Sequence, residues 1–501
     1  MFRLVVSSYL EDSKFGGHLW KKAFESGHLA KTRYLLLALF VVLLYGRTLS
    51  FDFLNYDDNL YVLDNPSVQD PASVPLEKHL LTPYLGYPIP ITIATYILEK
   101  ALFGTDPKVF HATNVIVFIL LCALFFKLAH DISQTPIKSF LLALIFASHP
   151  VMVETVSWVS CRKDLLASLF ALISLFFFRK AKENPTIKDD ILAILFVVLS
   201  ILSKPTAILL PFLFLFFATK GKRLLYVGSA LFSICVLAIT FFYETDMGAL
   251  GASTPFHERL IFQVYHHIES IFFPFDLLPR YIDQTLSLKE VLVALPALCL
   301  AILLFVYLAF KRHPSLFYLL FSFVTYLPHS GLVPLSRQFA DSYCVLPLAG
   351  LLLAFSSVQV KGLSRGYKFA LSFLALLLAL SQTLKSSQYI PIFQDGVALW
   401  TYVYKHYPDS PQVCRNLGNA FMFSRRFEPQ NARQVYEHCI ETLDNRPFFL
   451  KNLAIATYHS KDLETAERLF HDLEALRPDD AEVARRYLRM IEEAKSGQKN
   501  H

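Results

Sequence analysis

Eleven runs of apolar residues constrain what this chain can fold into. They fall at about 34–50, 109–129, 138–149, 164–178, 189–203, 205–218, 224–242, 289–310, 315–328, 341–358 and 367–384. Hydrophobic residues make up 54% of the 501, and charged residues only 18%. No soluble core needs so many apolar runs of this length, so the pattern predicts an all-α, polytopic membrane protein of about eleven transmembrane helices. Several runs are short, as expected where loops dip into a bilayer. The stretch 88–103 is also apolar but holds Pro88, Pro90, Glu99 and Lys100. It reads as an interfacial helix of the first outer loop.

Charge gives the orientation. The first 33 residues carry Lys14, Lys21, Lys22, Lys31 and Arg33 and read as a cytoplasmic segment before an uncleaved first span. With that end inside, the inner loops carry 14 Lys and Arg: Lys127, Lys138, Arg179, Lys180, Lys182, Lys188, Lys220, Lys222, Arg223, Lys311, Arg312, Lys361, Arg365 and Lys368. The later outer connections hold eight over more residues. The bias obeys the positive-inside rule, and an odd number of spans puts the C-terminus outside. A spanning 88–103 would reverse every later loop. The net charge of +6 follows topology and suggests no nucleic-acid partner.

Past Ser387 the composition turns polar, with helical periodicity. The frames RNLGNAF and KNLAIAT put Gly418 and Ala454 at matching places, 36 residues apart. In the second unit Ala454, Thr457, Ala466, Phe470, Leu473 and Pro478 fit the 34-residue tetratricopeptide pattern. In the first, Ala432 comes two places late, through an insertion in FEPQN. An ordinary helical hairpin is the plainer alternative. Segment 397–406 is expected to stack before the first unit, and 479–495 to cap the array. The domains are therefore 1–33, a transmembrane domain over 34–387 with its first outer loop at 51–108, and an outer repeat domain over 388–497. The seven Cys show no CxxC and no ligand spacing, so neither a disulfide framework nor a metal site is expected.

Ionisable residues gather at the outer ends of the spans. Asp57 and Asp58 follow the first span, and the second outer connection holds His149, Glu154, Arg162, Lys163 and Asp164. Lys204 lies in the third, and Glu244, Asp246, His257, Glu258, Arg259, His266, His267 and Glu269 in the fourth. His329, Arg337 and Asp341 lie in the fifth. Charge at membrane depth is costly, so this convergence on one side argues for a site there. Two acids facing several bases suit sugar transfer from a polyprenyl phosphate carrier. An Asp takes the proton of the attacking hydroxyl, and Arg and Lys neutralise the phosphate leaving group. Such a leaving group needs no metal, and no cofactor is expected.

Each residue also has a structural use. Asp57 and Asp58 can form a solvated turn, and Arg162 and Lys163 can snorkel at a helix end. Asp164 can cap the following helix or pair with Arg162. Lys204 can anchor at the interface, and His149 can end a span. Glu154 can bond its neighbours. Arg337 and Asp341, four apart, can pair on one helix face. His266 and His267 are adjacent and so do not share a helix face, which argues against a metal pair.

The stretch NYDDNLYVLDNPSV resembles the opening of the transmembrane and tetratricopeptide-repeat O-mannosyltransferase family and its bacterial relatives. FGTDPKVFHATNVIVFILLCALFF, ASHPVMVETVSWVSCRKDLLASLF, LSKPTAILLPF and ADSYCVLPL are similar, in order, to later motifs of that family. The likeness runs from about residue 34 to 350, with repeats following. It implies a GT-C glycosyltransferase fold and a polyprenyl-phosphate-linked sugar donor, with mannose as a candidate sugar. It implies an inverting reaction on a hydroxyl acceptor, such as a protein Ser or Thr or a glycan. Asp57 matches the acid that serves as base, and Asp58 the acid that contacts the acceptor. Arg162, Asp164, Lys204 and Asp341 match positions that line the site. The chain departs at Ser342, where the pattern has Arg, which removes a cation beside Asp341. The repeats would then hold an acceptor polypeptide or a partner protein. The chain would be an integral protein of a bacterial inner membrane with periplasmic repeats, or of the endoplasmic reticulum with lumenal ones. The rival reading is a non-catalytic, membrane-anchored repeat scaffold for envelope or glycoprotein assembly.

Overall fold

The computed structural model describes residues 27–498 apart from 85, 185, 247–254, 283–285, 333–336, 360–361, 363 and 444. Lys14, Lys21, Lys22 and Lys361 lie outside the described residues, as do the side chains of Lys220, Glu244 and Asp246. The described residues are all-α apart from one ribbon of two-residue strands, Pro83–Tyr84 and Tyr87–Pro88. The chain divides into two compact units. One comprises the chain up to Phe51 together with Leu60–Ile390. The other joins Asp52–Asn59 to the chain from Pro391 onward. The sequence alone groups 52–59 with the rest of 51–108.

In the first unit the principal helices are α1 (Gly27–Tyr45), α2 (Pro90–Phe103), α3 (Pro107–Ser133), α4 (Pro136–Ser148), α5 (Met152–Ser157), α6 (Arg162–Glu183) and α7 (Ile187–Ser203). They continue with α8 (Leu210–Phe217), α9 (Arg223–Asp246), α10 (Phe256–Phe272), α11 (Leu288–Phe310), α12 (Ser315–Tyr326), α13 (Val345–Ser357) and α14 (Arg365–Tyr389). Their starts follow local chemistry. Pro90, Pro107 and Pro136 sit in first turns, where a missing N–H costs nothing. Asp106 caps α3 through the Lys108 N–H, and Ser287 with Glu290 forms a capping box on α11.

Among the described residues, five helical stretches are long and apolar enough to cross a membrane: Lys31–Ser50, Pro107–Ser133, Arg223–Tyr243, Leu288–Phe310 and Arg365–Phe393. Leu292, Leu295, Leu300 and Leu303 of α11 all face outward. A face so apolar is at home in lipid rather than water. Between helices, serines supply the polar contacts. Ser200 Oγ donates to Ala167 O at 2.7 Å, Ser322 Oγ to Pro347 O at 2.8 Å, and Ser356 Oγ to Ala129 O at 2.7 Å. Small hydroxyl residues of this kind let apolar helices approach closely where no hydrophobic effect drives them together.

The second unit carries α15 (Gly396–His406), α16 (Pro411–Phe423), α17 (Pro429–Leu443), α18 (Arg446–His459), α19 (Leu463–Leu476) and α20 (Ala481–Gln498). Each helix packs on the next. Ala432, Ala454, Ala466, Phe470 and Leu473 fill the core between them. Gly418 allows α16 and α17 to approach closely, because a Cβ there would fall into the Tyr436 ring. One expectation is overturned. Cys414 of α16 and Cys439 of α17 form a disulfide, with Cα atoms 6.2 Å apart. A separation of 25 residues carries no local signature, and the helical hairpin alone brings the two thiols together.

Candidate functional site

In the second unit, the turn carrying the two acids is tied at several points. The Asp52 N–H donates to Gln394 O at 2.9 Å, and its carboxylate pairs with Arg425. Tyr56 meets Trp400 edge-on at 5.1 Å. Asp58 is fully buried, and its Oδ2 accepts the Leu54 N–H at 2.8 Å. Such a carboxylate closes the turn from within. Asp57 is half-buried, and its carboxylate has no hydrogen-bond or ion-pair partner among the described residues. The two neighbours thus differ: Asp58 is buried and accepts a backbone N–H, and Asp57 is half-buried.

In the first unit, Glu154 is the centre of a buried charge network. It lies fully buried on the short α5, between two long helices. Its Oε1 meets Arg337 Nη2 at 2.8 Å, and its Oε2 accepts the Asp341 N–H at 3.0 Å. Burial raises the Glu154 pKa, opposed by the Arg337 charge and reinforced by Asp164. Arg337 also donates to Pro279 O at 2.7 Å and lies 5.5 Å from the Trp158 ring centre. The backbone at 337–340 is not helical, so four-residue spacing does not set the geometry there. The Asp341 carboxylate instead accepts the Tyr281 hydroxyl at 2.8 Å and the Tyr389 hydroxyl at 3.2 Å. Those phenols give the carboxylate two hydrogen-bond donors but no positive charge, and Ser342 is buried in a 3-10 turn.

Lys204 pairs with Asp164 at 2.5 Å, and both are buried. The Lys204 ammonium also lies 4.7 Å from the Tyr343 ring centre, and the Tyr343 hydroxyl donates to Arg337 O at 3.1 Å. Glu154, Asp164, Lys204, Arg337 and Asp341 are therefore linked through these contacts.

Arg162 serves elsewhere. It is completely buried, pairs with Glu99 of α2, and donates to Asn114 Oδ1 at 2.9 Å and Phe110 O at 2.7 Å. The Tyr96 ring centre lies 4.6 Å away. A guanidinium so engaged is a strut between α2, α3 and α6. Glu99 and Asn114 were not singled out as partners by sequence, although an acid in an apolar stretch signals a buried counter-charge.

Lys163 donates to Ser160 O at 2.8 Å, over the Tyr61 ring. His149 ends α4, its Nε2 2.9 Å from Ile271 O. Of the histidines in the fourth connection, His266 packs among the Phe262, Tyr281 and Phe339 rings. Burial pushes His266 down to about 3 and His267 to about 4, so neither carries charge for a phosphate near neutral pH.

The fold and network define a helical, membrane-type protein with a buried ionic cluster and a separate helical array. Among curated proteins, the chain is similar to the human protein O-mannosyl-transferase TMTC1, 30% identical over 157 residues, which cover 28% of this chain and 17% of that protein. It is 27% identical to mouse TMTC3 over 155 residues, covering 28% of this chain and 16% of that protein. The Caenorhabditis elegans protein O-mannosyl-transferase F38B6.6 aligns over 388 residues at 26% identity, covering 68% of this chain and 54% of that relative. The chain thus spans under a fifth of these vertebrate relatives, and about half of the nematode one. Its curated relatives are TMTC-type O-mannosyltransferases. No family model matches. No solved structure matches significantly.

Proposed function

We propose that this chain is an inverting GT-C glycosyltransferase. It moves a hexose, in the first instance mannose, from a polyprenyl phosphate carrier to a hydroxyl of a protein on the periplasmic or lumenal face. The observation that carries the reading is the contrast between Asp58, consumed by its turn, and Asp57, a half-buried carboxylate left without a partner in the motif shared with the resembled family. Asp57 is the base that takes the acceptor proton. Asp58 keeps the turn in shape rather than touching the acceptor. Arg337, the least buried cation of the Glu154 network, meets the phosphate as charge develops on it. The names of the relatives support hexosyl transfer to protein.

Eleven crossings, with the tetratricopeptide-like helices outside, complete the reading. The Cys414–Cys439 bond supports that orientation, because disulfides persist in oxidising compartments. The repeats then hold the acceptor polypeptide or a partner. Mass spectrometry of outer-side glycoproteins, with and without the chain, tests this. Loss of hexosylated Ser or Thr peptides on deletion supports it, and an unchanged glycoproteome refutes it. A scaffold role is the second reading. It is favoured by Ser342 and by the carboxylates that already compensate Lys204 and Arg337.

A further inference from the structure

Several buried polar atoms of the first unit have no partner among the described residues, and some of them belong to residues linked through Tyr343. Among the described residues, Asp164 Oδ2, Thr206 Oγ1 and both ring nitrogens of His329 make no hydrogen bond. Their residues are only 3%, 6% and 6% exposed. The His329 imidazole stacks on the Tyr343 ring with centroids 3.8 Å apart and planes 11° from parallel. Lys204 lies against the same ring and holds the other oxygen of Asp164. Thr206 follows Lys204 by two residues, and its N–H donates to Lys204 O at 2.8 Å. Leaving this many buried polar groups unsatisfied is costly, and native structures rarely do so without a ligand or ordered water.

The types of these atoms decide what fits. A phosphate offers acceptors alone and asks for donors. Asp164 Oδ2 is an acceptor-only oxygen and repels it. A neutral imidazole gives one donor and one acceptor, Thr206 gives both, and Lys204 has N–H groups beyond the one facing Asp164. Mixed donors and acceptors around a carboxylate match a row of vicinal hydroxyls, each of which donates and accepts. We propose that Asp164, Lys204, Thr206 and His329 form a subsite for the hydroxyls of a hexose. It rests on the transferase reading only for the source of that sugar. The phosphate lies outside it.

The test uses the full chain in detergent micelles and two probes, polyprenyl phosphate mannose and sugar-free polyprenyl phosphate. Binding of each is measured directly. Wild type is expected to prefer the mannose-bearing lipid. His329→Leu and Thr206→Val should each lose about tenfold in affinity for that lipid, as one buried hydrogen bond is removed. Both should bind the sugar-free lipid as wild type does, and His329→Gln should recover most of the loss. Equal affinity of wild type for the two lipids overturns the subsite. So do variants that weaken both lipids alike, and variants that weaken neither, which would mean that water alone fills the corner. Transfer of mannose to a peptide is assayed in parallel. Transfer without lipid discrimination sinks the subsite alone. Discrimination without transfer sinks the transferase reading alone.

Discussion

Glu99→Gln removes the carboxylate that faces the buried Arg162 guanidinium. Arg162 has a fully buried side chain, and Glu99 is 8% exposed. Removing one partner of such a pair leaves a charge without compensation and costs about 3–5 kcal/mol. Asn114 Oδ1, Phe110 O and the Tyr96 ring remain around the guanidinium, and Gln keeps an acceptor. The low end of that range, about 3 kcal/mol, is therefore expected, or roughly a hundredfold in the folded-to-unfolded ratio. Denaturant titration of the full chain in micelles measures it. The double variant Glu99→Leu with Arg162→Met should regain most of the loss, since matched apolar side chains replace a buried pair at little cost. Glu99→Gln with wild-type stability would refute the strut. So would a double variant less stable than the single one.

In the second unit, Gly418→Ala drives a methyl into the Tyr436 ring. It should cost about 1–3 kcal/mol in thermal unfolding, as overpacking does. Replacing Cys414 and Cys439 with Ser should destabilise the same unit by about 3 kcal/mol, and non-reducing peptide mapping of wild type should recover the linked pair. Asp462 caps α19 through the Thr465 N–H at 3.1 Å, so Asp462→Ala should cost about 1 kcal/mol at neutral pH. The Thr465 N–H, and then Arg433, hold the Asp462 pKa below its ordinary 3.8. Its contribution is therefore present above that value and lost as pH falls through the lower, folded one. The difference between variant and wild type should shrink in strong acid, read by melting curves across pH.

The helices were legible because their signals are local. Apolar runs bounded by Pro, Asp-Pro and Ser-x-x-Glu mark where α2, α3, α4 and α11 lie. The small residues Gly418, Ala432, Ala454 and Ala466 mark where helices of the second unit approach. The gathering of Glu154, Asp164, Lys204, Arg337 and Asp341 was also legible, since charge in an apolar chain is sparse enough to group. Partner choice was not. Arg162 reaches Glu99 across 63 residues, and Asp341 meets Tyr281 and Tyr389 across 60 and 48. Nothing in the local pattern ranks such pairs. The Cys414–Cys439 bond and the membership of 52–59 in the second unit were hidden for the same reason. The difference in burial between Asp57 and Asp58 goes with a turn in which Asp58 accepts the Leu54 N–H, and adjacent sequence positions do not reveal it.

Mannose transfer by the purified chain tests the central claim most directly. Labelled polyprenyl phosphate mannose and a Ser/Thr-rich acceptor peptide are supplied to wild type, Asp57→Asn and Asp58→Asn, each first shown to be folded. Removing a general base typically costs about 10²–10⁴-fold in rate. Asp57→Asn should fall by that much with an unchanged melting temperature, whereas Asp58→Asn should lose stability along with activity. Undiminished transfer by Asp57→Asn would contradict the account.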